Sequence, residues 1–280
     1  MNLSPNKKYY CILGPARSGT TALHLLLKGH QNICAINDEV KIARVLREGI
    51  SVFTYGNNSM EENSRSPWML FKFLSEYNIN SESCAFGMKA ALSDPREVRH
   101  IAKIFAEKLQ HIFIIACIRN DLLAQYASLK RAHETGNWHS WVTGSEKAGS
   151  YKLFVDPIMY SQYYVDQLRL IEEIRSLSNT NPYLEISYEG DIAKGLGYSQ
   201  KLFDFLSIPY VYPSWFDSRK ISRPVEEYVT NHLQIRELEK ELQVSKCPLK
   251  EKRTSRLFRS AQTVRRLVDK IDRRFFSSRN

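Results

Sequence analysis

Two glycines at the G-x-x-x-x-G interval, Gly14 and Gly19, are followed directly by Thr20 and Thr21 in the stretch YYCILGPARSGTTALHLLLKGH, residues 9–30. An apolar run enters this turn and an apolar helical pattern leaves it, so the turn joins a strand to a helix. There the backbone N–H groups point inward, the first helical turn carries unpaired donors, and the helix dipole adds partial positive charge. The chemistry this suits is the holding of an oxyanion, phosphate or sulfate. A nucleotide kinase adds a lysine after the second glycine and a metal-holding acid at the end of another strand. Here Thr20 takes the lysine's place, and the apolar run at 111–118 passes into Arg119, Asn120 and Asp121, with arginine directly after the strand. The residues point to a phosphate-bearing ligand rather than a metal-bound triphosphate. A glycine-punctuated turn without a ligand is the plainer alternative.

The elements that must position these groups alternate short apolar runs with longer helical patterns, the signature of an α/β fold with a mainly parallel sheet. Strands are predicted at about 8–14, 84–90, 111–118 and 182–188, and helices at about 19–30, 38–48, 94–109, 121–133, 157–178 and 197–206. A charged helix is expected after Pro224, to about residue 243. Segment 49–68 is rich in Ser, Asn and Gly, and 134–156 reads as a long excursion of the kind that forms lids or binding elements. With 280 residues, 43% of them hydrophobic, the chain can bury a substantial core. No apolar run approaches the roughly 18–20 residues of a membrane span, and MNLSPNKKYY has no apolar signal core, so the expected location is the cytoplasm. Cys11, Cys34, Cys84, Cys117 and Cys247 show no C-x-x-C spacing and read as free thiols, and no metal site is expected.

The residues around the loop resemble a family. GPARSGTTAL is similar to the 5′-phosphosulfate loop of sulfotransferases that use 3′-phosphoadenosine 5′-phosphosulfate (PAPS), and IIACIRNDLLAQYASLKRAHETGNW is similar to their 3′-phosphate motif. NICAINDEV resembles a bacterial carbohydrate-sulfotransferase segment with a glutamate after the first helix. FGMKAAL resembles the strand carrying a lysine near the transferred group, and YLEISYEGD with KLFDFLSIP resembles the later strand and helix. The resemblance covers about residues 8–240 and is nearest to bacterial enzymes of the nodulation-factor and glycolipid type. It implies a P-loop-like three-layer α/β fold with helices flanking the sheet, and transfer of a sulfuryl group from PAPS to a hydroxyl of a carbohydrate or glycolipid, without a metal.

It also implies roles. Arg17 takes the position of the loop cation that touches the bridging oxygen and the sulfuryl group, and Ser18, Gly19, Thr20 and Thr21 match the residues that wrap the 5′-phosphate. A fixed guanidinium and backbone donors suit charge developing on the leaving phosphate oxygen. Arg119 and Ser128 match the 3′-phosphate ligands; they stand nine apart, as in several bacterial members and unlike the cytosolic ones. The cytosolic members place a histidine two residues beyond the strand lysine, but Ala90 and Ala91 follow Lys89, so Glu39 becomes the candidate base for the acceptor hydroxyl. Its other reading is a glutamate stabilising a helix start after Asn37 or Asp38. Lys89 is expected to stabilise the sulfuryl group, or else to snorkel from a strand end. His133, Trp138, His139 and Trp141 suit stacking on a sugar, closure over the nucleotide, or ordinary loop packing. Arg219, Lys220 and Arg223 fall where some relatives place a late basic loop, without the Arg-Lys-Gly sequence that marks it.

The expected organisation is a sulfotransferase domain at 1–245 and a basic helical tail at 246–280. The net charge is +10, and the tail holds +9 of it. Leu257, Ala261, Val264, Val268, Ile271 and Phe275 form an apolar stripe along that tail. Such a helix can meet an anionic membrane surface through residues 254–276, pack against a protein, or bind nucleic acid. A P-loop kinase and a non-catalytic basic module are the rival readings of the whole chain.

Overall fold

The first strand, Lys8–Pro15 (β1), is apolar on both sides and buried from Tyr9 onward, as a strand in the middle of a parallel sheet must be. The computed structural model describes residues 7–39, 51–55, 58–62, 83–92, 95, 98, 99, 102, 105, 110–136, 151–214 and 224–244, with backbone alone at 36–39, 51–55 and 58–62. Contacts divide the chain into two compact units, Met1–Asn120 with Leu170–Arg219, and Asp121–Arg169 with Lys220–Asn280.

The first unit holds a five-stranded parallel sheet. With β2 at Ile33–Glu39, β5 at Ala85–Leu92, β6 at Phe113–Ile118 and β7 at Tyr183–Ser187, the strand order is β2-β5-β1-β6-β7. After β1 the chain moves to one side of it and later to the other, which opens a crevice at the carboxyl ends of β1 and β6, where ligands of open α/β sheets bind. Helices flank the sheet. Thr20–Lys28 (α1) buries Leu23, Leu26 and Leu27, and Ser199–Leu206 (α4) buries Leu202, Phe203 and Leu206, against Ile12 and Ile115 of the sheet. Burial of each such side chain is worth about 1.5–3 kcal/mol. Pro95, Val98, Arg99, Ala102 and Phe105 are helical, as the pattern at 94–109 predicts. At the end of α1 the imidazole of His30 accepts the Asn32 N–H at Nδ1 (3.1 Å) and lies 3.2 Å from the Pro209 carbonyl at Nε2, which sets Nε2–H as the donor. Burial lowers its pKa.

A β-hairpin, Ser51–Tyr55 (β3) paired antiparallel with Asn58–Glu62 (β4), occupies part of the segment that sequence left unassigned. The helix expected at 38–48 is corrected at its start. Asn37, Asp38 and Glu39 continue β2, because Ile33, Cys34 and Ala35 are buried and paired with β5, and that pairing outweighs helix capping by Asn37 or Asp38. Residues 40–48 lie outside the described residues.

One close approach sets a requirement on β5. A Cβ on Gly87 would stand 2.0–2.3 Å from the ring of Tyr10, which is fully buried on the adjoining strand. Gly87→Ala is expected to cost about 2–3 kcal/mol through overpacking. In urea titrations its midpoint should fall with the slope unchanged.

In the second unit, Leu122–Thr135 (α2) is capped by Asp121, whose carboxylate accepts the Ala124 N–H at 2.9 Å. The helix ends at left-handed Gly136. Pro157–Ser176 (α3), part of this unit as far as Arg169, begins with Pro157 at its first position, which proline favours, and Asp156 accepts the N–H groups of Ile158 and Met159 at 2.8 and 3.1 Å. The last helix among the described residues, His232–Val244 (α5), follows a 3-10 turn at Val225–Glu227, so the helix expected after Pro224 starts later. Its Arg236 makes two 2.9 Å bonds to Asp121 and one of 3.0 Å to Glu239, which also accepts the Tyr160 hydroxyl. Among the described residues no helix is long and apolar enough to cross a membrane.

Candidate active site

The loop between β1 and α1 is built for close approach of backbone. A Cβ on Gly14 would stand 2.4 Å from the Cys117 carbonyl, 2.7 Å from Ser18 Oγ and 2.8 Å from Thr20 Cγ2. Gly19 has φ +105°, and a Cβ there would meet Ile192 and Tyr188 at 2.8 and 2.9 Å. Arg17 between them takes φ 65°, a left-handed conformation that costs a non-glycine residue about 1 kcal/mol or more. The Ser18 N–H donates to the Pro15 carbonyl at 3.2 Å, closing the turn. The Cys117 thiol donates to the Ser18 carbonyl at 3.0 Å from beneath, and burial pushes that thiol up to about 12. No side chain caps α1 at Gly19, and Ser18 Oγ is fully buried without a hydrogen-bond partner among the described residues. An uncapped helix start beside an orphaned hydroxyl inside a glycine turn fits an oxyanion such as phosphate or sulfate.

Arg119 follows β6 and is only 6% exposed. Its Nη1 donates to the Arg17 carbonyl at 3.4 Å, so the turn after β6 reaches directly to the β1–α1 loop. The guanidinium lies 4.4 Å over the Tyr188 ring. Its Nε is 3.7 Å from the Glu189 carboxylate, an ion pair too long to be a hydrogen bond, and that Nε has no hydrogen-bond partner among the described residues. A buried guanidinium held by one long bond, one long ion pair and one ring face has capacity left for an anion.

Lys89, 5% exposed on β5, donates from Nζ to Thr21 Oγ1 at 3.1 Å, which sets the ammonium at the start of α1. Glu39 is the last residue of β2, and its backbone is in register with Lys89. Along the first unit's sheet, in the order β2, β5, β1 and β6, β2 ends at Glu39, Lys89 stands three residues before the end of β5, β1 runs into the Gly14–Thr21 loop and β6 into Arg119. Strand spacing of about 4.8 Å sets the span between the outer two near 15 Å. Ser128 is half-buried on α2 and belongs to the second unit. His133 lies on α2 too, while Trp138, His139, Trp141, Arg219, Lys220, Arg223 and the tail at 246–280 are outside the described residues.

Tyr188 and Glu189 were not singled out from sequence. The signal was present in the turn after β7, whose Ser, Tyr, Glu, Gly and Asp are turn-forming or polar types, but only the fold shows that it borders the loop.

An open parallel α/β unit with a glycine-punctuated loop at its switch point is the class that fold and site define. No protein-family model matches the sequence, and no curated protein matches it. Solved structures similar to the chain include a sulfotransferase from Alicyclobacillus acidocaldarius (TM-score 0.47, 12% identity, 85% of this chain and 95% of that one). A sulfotransferase domain from the curacin biosynthetic pathway gives 0.48 and 13%, over 95% of this chain and 98% of that one. Sulfotransferase STF9 from Mycobacterium avium gives 0.43 and 11%, over 86% and 77%.

Proposed function

We propose that this chain is a PAPS-dependent sulfotransferase that moves the sulfuryl group to a hydroxyl of a carbohydrate or glycolipid. The observation that carries the reading is the bond from Arg119 to the Arg17 carbonyl, which joins two anion-binding turns on one sheet edge with an arginine at each. The donor supplies the sulfuryl group and a good leaving phosphate. Arg17, Ser18, Gly19, Thr20 and Thr21 hold its 5′ end, and Arg119 holds the 3′-phosphate. Glu39 takes the proton from the acceptor hydroxyl as the hydroxyl oxygen bonds to sulfur. The bond from sulfur to the phosphate oxygen breaks, and its electron pair stays on that oxygen beside Arg17. Lys89 neutralises charge on the sulfuryl oxygens. The basic stretch 254–276 brings the enzyme to the inner membrane surface where a glycolipid acceptor is presented.

Thermal unfolding separates this from kinase chemistry. Adenosine 3′,5′-bisphosphate at about 100 times its Kd, with a chelator present, should stabilise by about 2.7 kcal/mol and raise Tm by about 5 °C or more. Stabilisation by ATP with magnesium, and none by the bisphosphate, would establish the kinase instead. Silence toward both, with loss of a partner on deleting 250–280, would establish a non-catalytic module. Label passing from sulfur-labelled donor to a glycan then identifies the acceptor.

A further inference from the structure

The turn after β7 is held in place without help from any ligand. The Ser187 N–H donates to Asp191 at 2.9 Å, the Gly190 N–H donates to Ser187 Oγ at 3.1 Å, and Lys201 pairs with Asp191 at 2.7 Å. The Tyr188 N–H donates to the Ile118 carbonyl at 2.8 Å, extending the β6–β7 ladder, and the Ala193 N–H closes onto the Tyr188 carbonyl at 2.8 Å. This fixed turn touches both grips of the site. Tyr188 and Ile192 stand where a side chain on Gly19 would go, Tyr188 lies under the Arg119 guanidinium, and Glu189 faces its Nε. The Glu189 carboxylate is itself anchored by the Asn120 N–H at 3.0 Å, and Asn120 Nδ2 reaches Ser187 Oγ at 3.4 Å.

We propose that Glu189 is a positioning residue for Arg119: anchored on the Asn120 N–H, it holds the Nε end of the guanidinium over Tyr188 so that the group is aimed at the 3′-phosphate before the nucleotide arrives. The inference rests on the sulfotransferase reading for the identity of that phosphate, and on this chain's geometry for the rest. A flat cation with one face on a ring, Nη1 on the Arg17 carbonyl and Nε toward a carboxylate has little freedom to turn. Preorganising a donor in this way removes ordering cost at the moment of binding. The carboxylate also compensates the buried cation while the site holds no anion.

The test compares adenosine 3′,5′-bisphosphate with adenosine 5′-monophosphate, which lacks the 3′-phosphate, by titration calorimetry. Glu189→Ala should weaken the bisphosphate about tenfold and the monophosphate less than about twofold. Glu189→Gln, which still accepts the Asn120 N–H, should recover to within about threefold. Adding Glu189→Ala to Arg119→Lys, which keeps measurable affinity but has no guanidinium to aim, should weaken the bisphosphate less than about twofold further. Equal losses for both nucleotides would mean a merely structural role, and tighter bisphosphate binding would mean repulsion; either result overturns the proposal. A ligand-free readout keeps it separate from the functional reading. In 15N-labelled protein, the Arg119 Nε–H signal, assigned by its loss in Arg119→Lys, should show an order parameter near the rigid value of about 0.85, falling below about 0.6 in Glu189→Ala. That fall in a protein that binds neither nucleotide would sink the sulfotransferase reading and leave the positioning role standing. An unchanged order parameter would remove that role.

Discussion

Arg119→Ala is expected to abolish measurable binding of adenosine 3′,5′-bisphosphate in calorimetry, a loss of about 10³-fold or about 4 kcal/mol. The size follows from where the group sits. At 6% exposure the guanidinium is largely shielded from water, so its attraction for a phosphate is little screened, and alanine leaves the phosphate in the same pocket with no cation. Two further effects add to the loss. The Arg17 carbonyl loses its 3.4 Å donor in a loop whose φ of 65° is already unfavourable, and Glu189 is left beside the phosphate without its counter-charge. Arg119→Lys keeps the charge and loses the planar fork, so it should recover part of the affinity, within about 10–100-fold of wild type. Arg17→Ala should likewise bring binding below detection, through the other end of the ligand. Unchanged affinity in either alanine variant, with the unfolding transition intact, would remove these arginines from the site.

The second large effect is on turnover alone. Glu39→Gln preserves shape and hydrogen-bonding reach but cannot take a proton, so the rate should fall about 10²-fold or more while bisphosphate affinity stays within about twofold. The backbone register supports the assignment. Glu39 ends β2 directly across from Lys89, whose ammonium is set at the start of α1 by Thr21, so the proposed base lies one strand away from the proposed sulfuryl contact. Near-normal turnover would take Glu39 out of the base role.

The central strands were legible in sequence because they are buried on both sides. KYYCILG, CAFGMKA and HIFIIACI are short, continuous and apolar, and each lies within two residues of its predicted bounds. The loop was legible because glycine spacing is a backbone requirement that only a few turns impose, and Gly14 and Gly19 have no room for a Cβ. At the sheet edge the pattern failed. Among the described residues β2 pairs with one strand, its apolar part is only Ile33, Cys34, Ala35 and Ile36, and the following Asn37, Asp38 and Glu39 look like a helix cap, so the local signal starts a helix where the strand still runs. The β3–β4 hairpin carried a cue in Gly56-Asn57 between Tyr55 and Asn58, masked by the polar run around it. Tyr188 and Glu189 could not be read as site residues, because their proximity to Arg119 depends on β7 lying next to β6, a long-range fact that periodicity does not encode.

The central place of β1 has a consequence for how the protein is made. Tyr10 is paired with Gly87 on one side and Phe113 on the other, and β6 is completed in turn only by Tyr183–Ser187. On a ribosome adding about 5–20 residues per second, the nascent Tyr-Tyr-Cys-Ile-Leu segment waits several seconds or longer before either flank exists. During that interval a sticky, edge-exposed strand is in solution, so yield at elevated temperature should depend on chaperone supply more than the finished molecule's stability suggests.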